Sequence, residues 1–321
     1  MDQPADPHRL RRRHRRLAIA ALAALVVGVG PIGCAPDGPT DPGAATGLVI
    51  LTGQVGDTSL TVRDGEHPDG RPVPLPDKAT AWVSVGRGNV LLATLIDGRL
   101  EVSAPLRADD PAWTTVKPTT VEDVPPDGPL YFGSWDPDGG VFVVLGGDLS
   151  AADGLRLVVV DPNLGGAAQF PVGTRTRPVP PAWIDRDRVA VATGTGETPT
   201  MTILDTATGF TREGPTGTRL LATSADAGVA ATWTGAGSIG IQPIGAWLSG
   251  GTASNRIDPP EGTARPISMA LDETGARLAV AWADADGAPS RVTIHTESAD
   301  WARVATVAIS SSRTAVVAWL R

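Results

Sequence analysis

The sequence is poor in the residues that build covalently stapled or metal-bound scaffolds. Cys34 is the only cysteine among 321 residues. A single cysteine excludes an internal disulfide framework and a zinc site made of cysteine pairs. Tyr131 is the only tyrosine, and lysine occurs only at Lys78 and Lys117. The fold must therefore be explained without disulfides.

The chain also lacks an apolar run of bilayer-spanning length near its N-terminus. The run from Leu17 to Val29 is 13 residues long, whereas a membrane-spanning helix needs about 20. Six arginines between Arg9 and Arg16 precede this run, and small residues follow it. The order predicts a secretory signal peptide over residues 1–33, and an uncleaved membrane anchor is the alternative.

The position of Cys34 suggests why an exported chain would keep one thiol. Ile32, Gly33 and Cys34 resemble the end of the lipobox of bacterial lipoproteins, although Pro31 stands where that motif usually has leucine. The resemblance implies lipidation of Cys34 and attachment to the outer face of the cell membrane. A small buried thiol is the alternative. Residues 35–46 are rich in proline, glycine and small polar residues, so 34–46 is predicted to be the lipidated cysteine and a flexible tether.

The charge balance excludes another class of partner. The whole chain has 27 basic and 35 acidic residues, and residues 1–33 hold six arginines and two acids. Their removal leaves 21 basic and 33 acidic residues, a net charge near −12. Nucleic-acid binding requires a basic surface, so no nucleic-acid partner is expected. Electrostatic adhesion to anionic lipid is excluded for the same reason.

Short apolar runs dominate the rest of the chain. They are four to six residues long, rich in valine, leucine and isoleucine, and bounded by glycine or aspartate: 48–51, 90–95, 141–145, 189–192, 229–233 and 278–282. A second run with alternating polar and apolar residues follows most of them. This pattern predicts β-strands, and the 38 glycines and 29 prolines fit many tight turns.

Marker residues recur before these runs at intervals of 40 to 53 residues. They are Trp82, Trp135, Trp183, Thr223, Leu271 and Trp319. Such a period, with about four short strands per unit, predicts an all-β propeller of about six four-stranded blades over residues 47–321. The last strand has no successor and the first strands have no predecessor. We therefore expect the C-terminal strand to lie innermost in a blade completed by the N-terminal strands.

A family resemblance supports the same fold. The segment from Trp135 to Val144, WDPDGGVFVV, resembles the WSPDG-type repeat of TolB-like six-bladed propellers, which are related to WD-repeat propellers. Residues 272–280 are a second copy, and the resemblance covers about residues 47–321. It implies that the Asp-Gly turn joins the first two strands of a blade and that the tryptophan packs between blades. Propellers serve many functions, so it implies none in particular.

No catalytic, cofactor or metal site is identified in the sequence. The segment 224–228 followed by Trp233 is similar to the Asp-box turn of sialidases, but the spacing is two residues too long. The pairs Asp136/Asp138 and Asp284/Asp286 do not supply the six to eight oxygen ligands of a calcium loop. These segments are interpreted as turns. His295, on a strand pattern, is expected to be partly exposed.

Tryptophans provide the candidate binding residues. Trp82, Trp135, Trp183 and Trp319 are expected at equivalent core positions of inner strands. Trp113, Trp247 and Trp301 fall in loop or outer-strand contexts, where exposed indoles would anchor a partner. Packing beneath a long loop is the alternative for these three.

The sequence favours a non-enzymatic lipoprotein that binds a protein partner or a small ligand, with no cofactor. A complete propeller without a catalytic set motivates this interpretation. The alternative is a propeller enzyme, or a sensor of a small molecule or carbohydrate, that uses the central channel. That alternative requires several carboxylates or histidines that converge on the axis.

Overall fold

The computed structural model describes most of the chain beyond the predicted tether. The described residues are 42–54, 57–63, 69–73, 80–86, 89–96, 99–102, 119–121, 130–138, 140–149, 151, 154–161, 166–174, 178–194, 198–235, 237–309 and 315–319. The predicted signal peptide, Cys34 and most of the tether lie outside them, as does Trp113. The statements about those residues stay predictions.

Twenty-four strands lie within the described residues. In chain order they are β1 (Leu48–Gln54), β2 (Asp57–Val62), β3 (Arg71–Val73), β4 (Thr80–Gly86), β5 (Asn89–Ile96), β6 (Arg99–Val102), β7 (Thr119–Val121), β8 (Leu130–Trp135), β9 (Phe142–Gly147), β10 (Leu155–Asp161), β11 (Gly166–Gly173), β12 (Ala182–Trp183), β13 (Arg188–Thr193), β14 (Thr200–Asp205), β15 (Thr211–Thr216), β16 (Leu220–Ser224), β17 (Val229–Trp233), β18 (Ile239–Pro243), β19 (Asn255–Ile257), β20 (Arg265–Leu271), β21 (Arg277–Ala283), β22 (Pro289–Thr296), β23 (Arg303–Ala308) and β24 (Ala315–Trp319).

Helical structure is sparse in the same residues. One α-helix, α1 (Ile244–Leu248), lies between β18 and β19, and 3-10 turns occupy Pro42–Ala45 and Glu297–Ala299. Within the described ranges, no helix has the length and apolarity to cross a membrane.

The strands form six antiparallel four-stranded sheets. Sheet 1 has the order β24-β1-β2-β3, and sheets 2 to 6 contain β4–β7, β8–β11, β12–β15, β16–β19 and β20–β23 in turn. The first strand of each sheet contacts the first strand of the next, and β24 contacts both β20 and β4. Antiparallel sheets repeated radially around their first strands make a β-propeller, so the predicted all-β propeller is confirmed. For sheet 2 the described features are the strands and their pairing; in the other five sheets side chains are described as well.

Sheet 1 joins the first and last strands of the described residues. Strand β24 pairs antiparallel with β1 from Leu48 opposite Trp319 to Thr52 opposite Ala315. The prediction that the C-terminal strand is innermost beside the N-terminal strands is therefore confirmed for this sheet. The pairing satisfies backbone groups that would otherwise form an open edge.

Buried side chains fill the spaces between adjacent sheets. On β21, Leu278, Val280 and Trp282 pack toward sheet 5, whereas Ala279 and Ala281 pack toward sheet 1. Strand residues alternate between two faces, and both faces are buried here, which explains the continuous apolar run in the sequence. Similar clusters fill the spaces between sheets 3 and 4 and between sheets 4 and 5.

The strand register corrects two of the predicted repeat markers. In four sheets the marker is the last residue of the first strand, and it lies opposite the first residues of the second strand. The equivalent pairs are Trp135–Phe142, Trp183–Val189, Leu271–Leu278 and Trp319–Leu48. In sheet 5 this position is Ser224, opposite Val229, so the Thr223 marker is wrong by one residue. Trp82 pairs with Ala93 inside its hairpin and is not equivalent either. A shift of one residue matters because it places a side chain on the opposite face.

Candidate functional site at the turn rim

Several of the aspartates and tryptophans considered in the sequence lie at one edge of the sheets. In an antiparallel sheet, the connections between strands one and two and between strands three and four lie at the same edge, which we call the turn rim. Trp247 and Trp301 lie in third-to-fourth connections of this rim. Trp113 lies between β6 and β7 in sequence, outside the described residues.

Aspartates close the hairpins at the turn rim. Asp136 Oδ1 accepts hydrogen bonds from the backbone N–H groups of Gly140 (2.6 Å) and Val141 (2.8 Å). Asp272 Oδ1 accepts two equivalent bonds from Ala276 (2.9 Å) and Arg277 (3.0 Å). A side-chain carboxylate that satisfies nearby backbone donors stabilises a tight turn. Both copies of the repeat therefore have an aspartate that stabilises the turn between the first two strands, as the family resemblance implied.

The aspartates considered as calcium ligands also interact with protein groups. Asp138 forms an ion pair with Arg186 of the neighbouring sheet, with 3.1 Å between Nε and Oδ2. At the opposite edge, Asp284 Oδ1 accepts from the backbone N–H groups of Asp286 and Ala288, each at 3.0 Å. Within the described residues, no three histidine, cysteine, aspartate or glutamate side chains cluster as metal ligands would. The turn interpretation thus fits both aspartate pairs.

Two rim aspartates differ in proton affinity because their neighbours differ. Burial raises the pKa of Asp136 above its usual value, and the backbone hydrogen bonds only partly oppose this effect. Burial also acts to raise the pKa of Asp185. There the hydrogen bonds and charge of Arg188, together with backbone donors, outweigh burial and lower the pKa. The guanidinium Nε of Arg188 lies 2.7 Å from Asp185 Oδ2.

Arg277 connects sheet 6 to the segment before β1 and to the end of β24. Its Nε donates to Asp272 Oδ2 at 3.0 Å, and its NH1 group donates to the carbonyl oxygen of Thr46 at 3.1 Å. The guanidinium carbon lies 4.4 Å from the ring centroid of Trp319, a cation–π distance. One side chain therefore contacts Thr46, two residues before β1, and Trp319, the last residue of β24, and holds both against sheet 6.

Side chains also form hydrogen bonds to backbone groups of the first strand in a neighbouring sheet. Trp319 Nε1 donates to the carbonyl oxygen of Ala270 (2.9 Å), and the N–H of Val317 donates to Ser268 Oγ (3.2 Å). Thr223 Oγ1 donates to the carbonyl oxygen of Trp183. Buried backbone groups need such partners. Because Thr223 is one residue before the marker position, its hydroxyl forms a hydrogen bond that links sheet 5 to sheet 4.

The structure buries two of the three candidate binding tryptophans. Trp247 is 3% exposed, and its Nε1 donates to Thr218 Oγ1 at 3.2 Å. Trp301 is 5% exposed and packs in the cluster between sheets 5 and 6. The helix and the turn that carry them fold back onto the sheets. Their environment is that of the packing alternative, and neither indole is an exposed anchor.

His295 is buried rather than partly exposed, so that expectation is wrong. It is 4% exposed, and its Nδ1 lies 3.0 Å from the carbonyl oxygen of Trp301 while its Nε2 lies 2.9 Å from Thr293 Oγ1. Trp282 Nε1 donates to the same hydroxyl at 2.7 Å. The alternation of β22 alone could not show this, because the turn that contains Trp301 contacts His295 from outside the strand.

The partners of His295 determine which group donates in each of these buried hydrogen bonds. The Trp301 carbonyl can only accept, so Nδ1 carries the proton and Nε2 is an acceptor. The Thr293 hydroxyl then donates to Nε2 and accepts the indole N–H of Trp282. Burial lowers the pKa of His295 to about 4, the hydrogen bond to Trp301 opposes this shift, and the charge of Arg303 adds to it. The imidazole is therefore neutral at pH 7.

Phe210 is the exposed apolar residue that the sequence analysis missed. Its side chain is 68% exposed, and within the described residues it is the exposed large hydrophobic side chain. It follows the turn between β14 and β15 on the turn rim, where Asp205 Oδ1 accepts the backbone N–H of Thr208 at 2.8 Å. The polar and glycine-containing sequence around Phe210 signalled a turn but not its exposure.

Comparisons with known proteins show the fold and no family. No family model and no curated protein matches the chain. A chain in the crystal structure of a nidogen–laminin complex is similar over 84% of this chain and 98% of its own length, with 10% identity and a TM-score of 0.55. TolB from Acinetobacter baumannii is similar over 85% of this chain and 66% of its own length, with 12% identity and a TM-score of 0.57. These likenesses identify a β-propeller, in agreement with the sheet topology.

Proposed function

We propose that the chain is an extracytoplasmic lipoprotein whose propeller is a non-enzymatic scaffold for binding another protein. The observation that carries this proposal is sheet 1, which contains the first and the last strand of the described residues. A tether that enters at β1 leaves the turn rims of the other sheets available to a partner. The rim aspartates and Arg277 support a scaffold because their hydrogen bonds hold turns and sheets together.

The proposal includes a closed ring of six blades. Its support is the cyclic order of contacts β4, β8, β12, β16, β20 and β24, in which each first strand contacts the next and the last contacts β4. A closed ring leaves only short outer edges to protect from aggregation.

The anchor is proposed to be a lipid on Cys34. Seven residues separate Cys34 from the 3-10 turn at Pro42–Ala45, which packs against the propeller through buried Ala45. An extended chain spans about 3.3–3.6 Å per residue, so the tether reaches at most about 29 Å. The propeller would therefore stay close to the membrane surface. A protein partner is favoured because the similar nidogen–laminin structure is a complex between proteins.

The anchor can be tested with a single substitution. We expect the Cys34→Ala protein to move from the membrane fraction to the soluble fraction, because it has lost the only residue that can carry the lipid. Intact mass spectrometry of the parent protein should show a chain that begins at Cys34 and carries acyl groups. Pro31→Leu is the matched control and should stay in the membrane fraction. Membrane retention of Cys34→Ala would contradict lipid anchoring.

The binding role can be tested with photo-crosslinking residues on the two edges of the propeller. We place one at Phe210 on the turn rim and one at Asp286, which is exposed on the opposite edge. In intact membranes we expect a single protein to crosslink at Phe210, with at least tenfold less product at Asp286. Excess propeller without the crosslinker should compete this product away. Failure to find a competable product at either position would contradict a protein-binding scaffold.

A further inference from the structure

The connection between β22 and β23 contains an unusual backbone. Asp300 (φ 52°) and Trp301 (φ 61°) are consecutive non-glycine residues in the left-handed region. A bulky residue seldom adopts this conformation, and it persists only where surrounding contacts impose it. Two backbone bonds hold the connection: the N–H of Asp300 donates to Glu297 (2.9 Å) and that of Trp301 donates to Thr296 (2.8 Å).

Two further contacts attach the connection to the sheets. The indole of Trp301 is buried in the cluster shared by sheets 5 and 6. The carbonyl oxygen of Trp301 accepts the Nδ1–H of His295, which is oriented from its other side by the Thr293 hydroxyl. The buried imidazole of His295 is therefore one of the contacts that hold the strained backbone at Trp301 in place.

Protonation of His295 would keep its bond to the Trp301 carbonyl but would conflict with its other surroundings. Nε2 would become a donor, so the Thr293 hydroxyl could no longer donate to it and would need another acceptor. The new charge would lie 4% exposed among apolar side chains and opposite Arg303 across the sheet. An opened connection would hydrate the imidazolium and relieve this conflict.

Charged groups on the surrounding elements do not compensate. The other charged side chains on the elements around His295 are Arg291 on β22, Arg277 on β21, Arg265 on β20, Glu297 and Asp300 in the connection, and Arg256 and Asp258 at β19. Arg277 is engaged with Asp272 and Trp319. The one side-chain charge that acts on the pKa of His295 is that of Arg303, which lowers it.

We propose that the connection of residues 297–302 is an acid-operated latch, in which neutral His295 holds Trp301 buried and acidification releases Trp301 to the turn rim. The latch would add a pH-dependent tryptophan to the surface of the propeller. It requires no assumption about lipid anchoring or a partner, so its test is independent of the proposed function.

Linkage fixes the direction and the size of the effect. The pKa of His295 is about 4 with the connection closed, and 6.5 is its ordinary value when the imidazole is hydrated. The opened form therefore binds the proton more tightly, and the closed form loses stability as the pH falls from about 6.5 toward 4. Between pH 7 and pH 5 the opening equilibrium constant should increase about 20-fold.

The test is hydrogen exchange of the full-length protein at pH 7 and pH 5, measured by mass spectrometry and corrected for the intrinsic exchange rate. Peptides that cover residues 289–309 should show the increase of about 20-fold, whereas the equivalent connection at residues 206–210, which has no histidine, should not change. His295→Gln should remove the pH dependence. No change in the parent protein, an equal change in both connections, or an unaltered pH dependence in His295→Gln would each overturn the proposal.

A second variant keeps the test informative if His295→Gln fails to fold. Arg303 is exposed, so Arg303→Gln should leave the fold intact. Removing its charge should raise the pKa of His295 and so make the increase between pH 7 and pH 5 smaller than in the parent. An equal or larger increase would contradict the role of His295 in the latch.

Discussion

The Trp319→Ala protein is expected to lose about 3–5 kcal/mol of unfolding free energy, with a decrease in Tm of roughly 10 °C. Trp319 is 1% exposed and fills the cluster between sheets 1 and 6. Its removal leaves a cavity, frees the carbonyl oxygen of Ala270 and takes away the ring beneath Arg277. Urea denaturation at pH 7.5 measures the effect.

Trp319→Phe is the matched control for this loss. Phenylalanine retains most of the apolar volume and an aromatic face for Arg277, but it cannot donate to Ala270. We expect a cost of about 1–2 kcal/mol, the range for one lost buried hydrogen bond with its acceptor unsatisfied. Equal stability of the alanine and phenylalanine proteins would mean that Trp319 does not hold β24 in the propeller.

The second large effect is expected at Gly147, at the end of β9. Its φ is +120°, and a Cβ placed there would lie 1.8 Å from the carbonyl oxygen of Gly154. A side chain would therefore be strained by its backbone angle and would collide with backbone that cannot rotate away. We expect Gly147→Ala to cost about 3–5 kcal/mol in urea denaturation.

Gly217→Ala separates the two contributions to that cost. Gly217 has a φ of +85°, and a Cβ there would have no neighbour within 4 Å. This variant suffers only the backbone strain and should lose about 1–2 kcal/mol. Equal stability of the two alanine proteins would contradict the collision expected between a side chain at position 147 and the carbonyl oxygen of Gly154.

The parts of the fold that could be predicted are those that local patterns determine. Runs such as Val141–Leu145 predict strands because they are too short for helices and are bounded by turn residues. The closing sheet could be predicted because no strand follows Ala315–Trp319 in the sequence and none precedes β1, so each could complete the other's sheet. Because an unpaired strand edge promotes aggregation, these two strands are expected to pair with each other.

The environments of particular side chains could not be predicted from such patterns. The sequence places His295 on a strand, but its contact with the Trp301 turn and its hydrogen bond to Thr293 depend on the tertiary fold. Likewise, loop positions indicate exposure for Trp247 and Trp301, whereas α1 and the turn at Trp301 fold inward. Register errors of one residue, as at Thr223, arise because the β16–β17 turn has no tryptophan to mark it.

The central claim, that β24 closes the propeller against β1, is tested most directly by an engineered disulfide. Leu51 lies opposite Val316 in the pairing, so cysteines at these positions are close enough to bond. In a Cys34→Ala background, Leu51→Cys with Val316→Cys should oxidise almost completely to a monomer of increased mobility on a non-reducing gel. Leu51→Cys with Val317→Cys, one residue out of register, should stay reduced. Oxidation of both pairs to the same extent, or of neither, would contradict the closure.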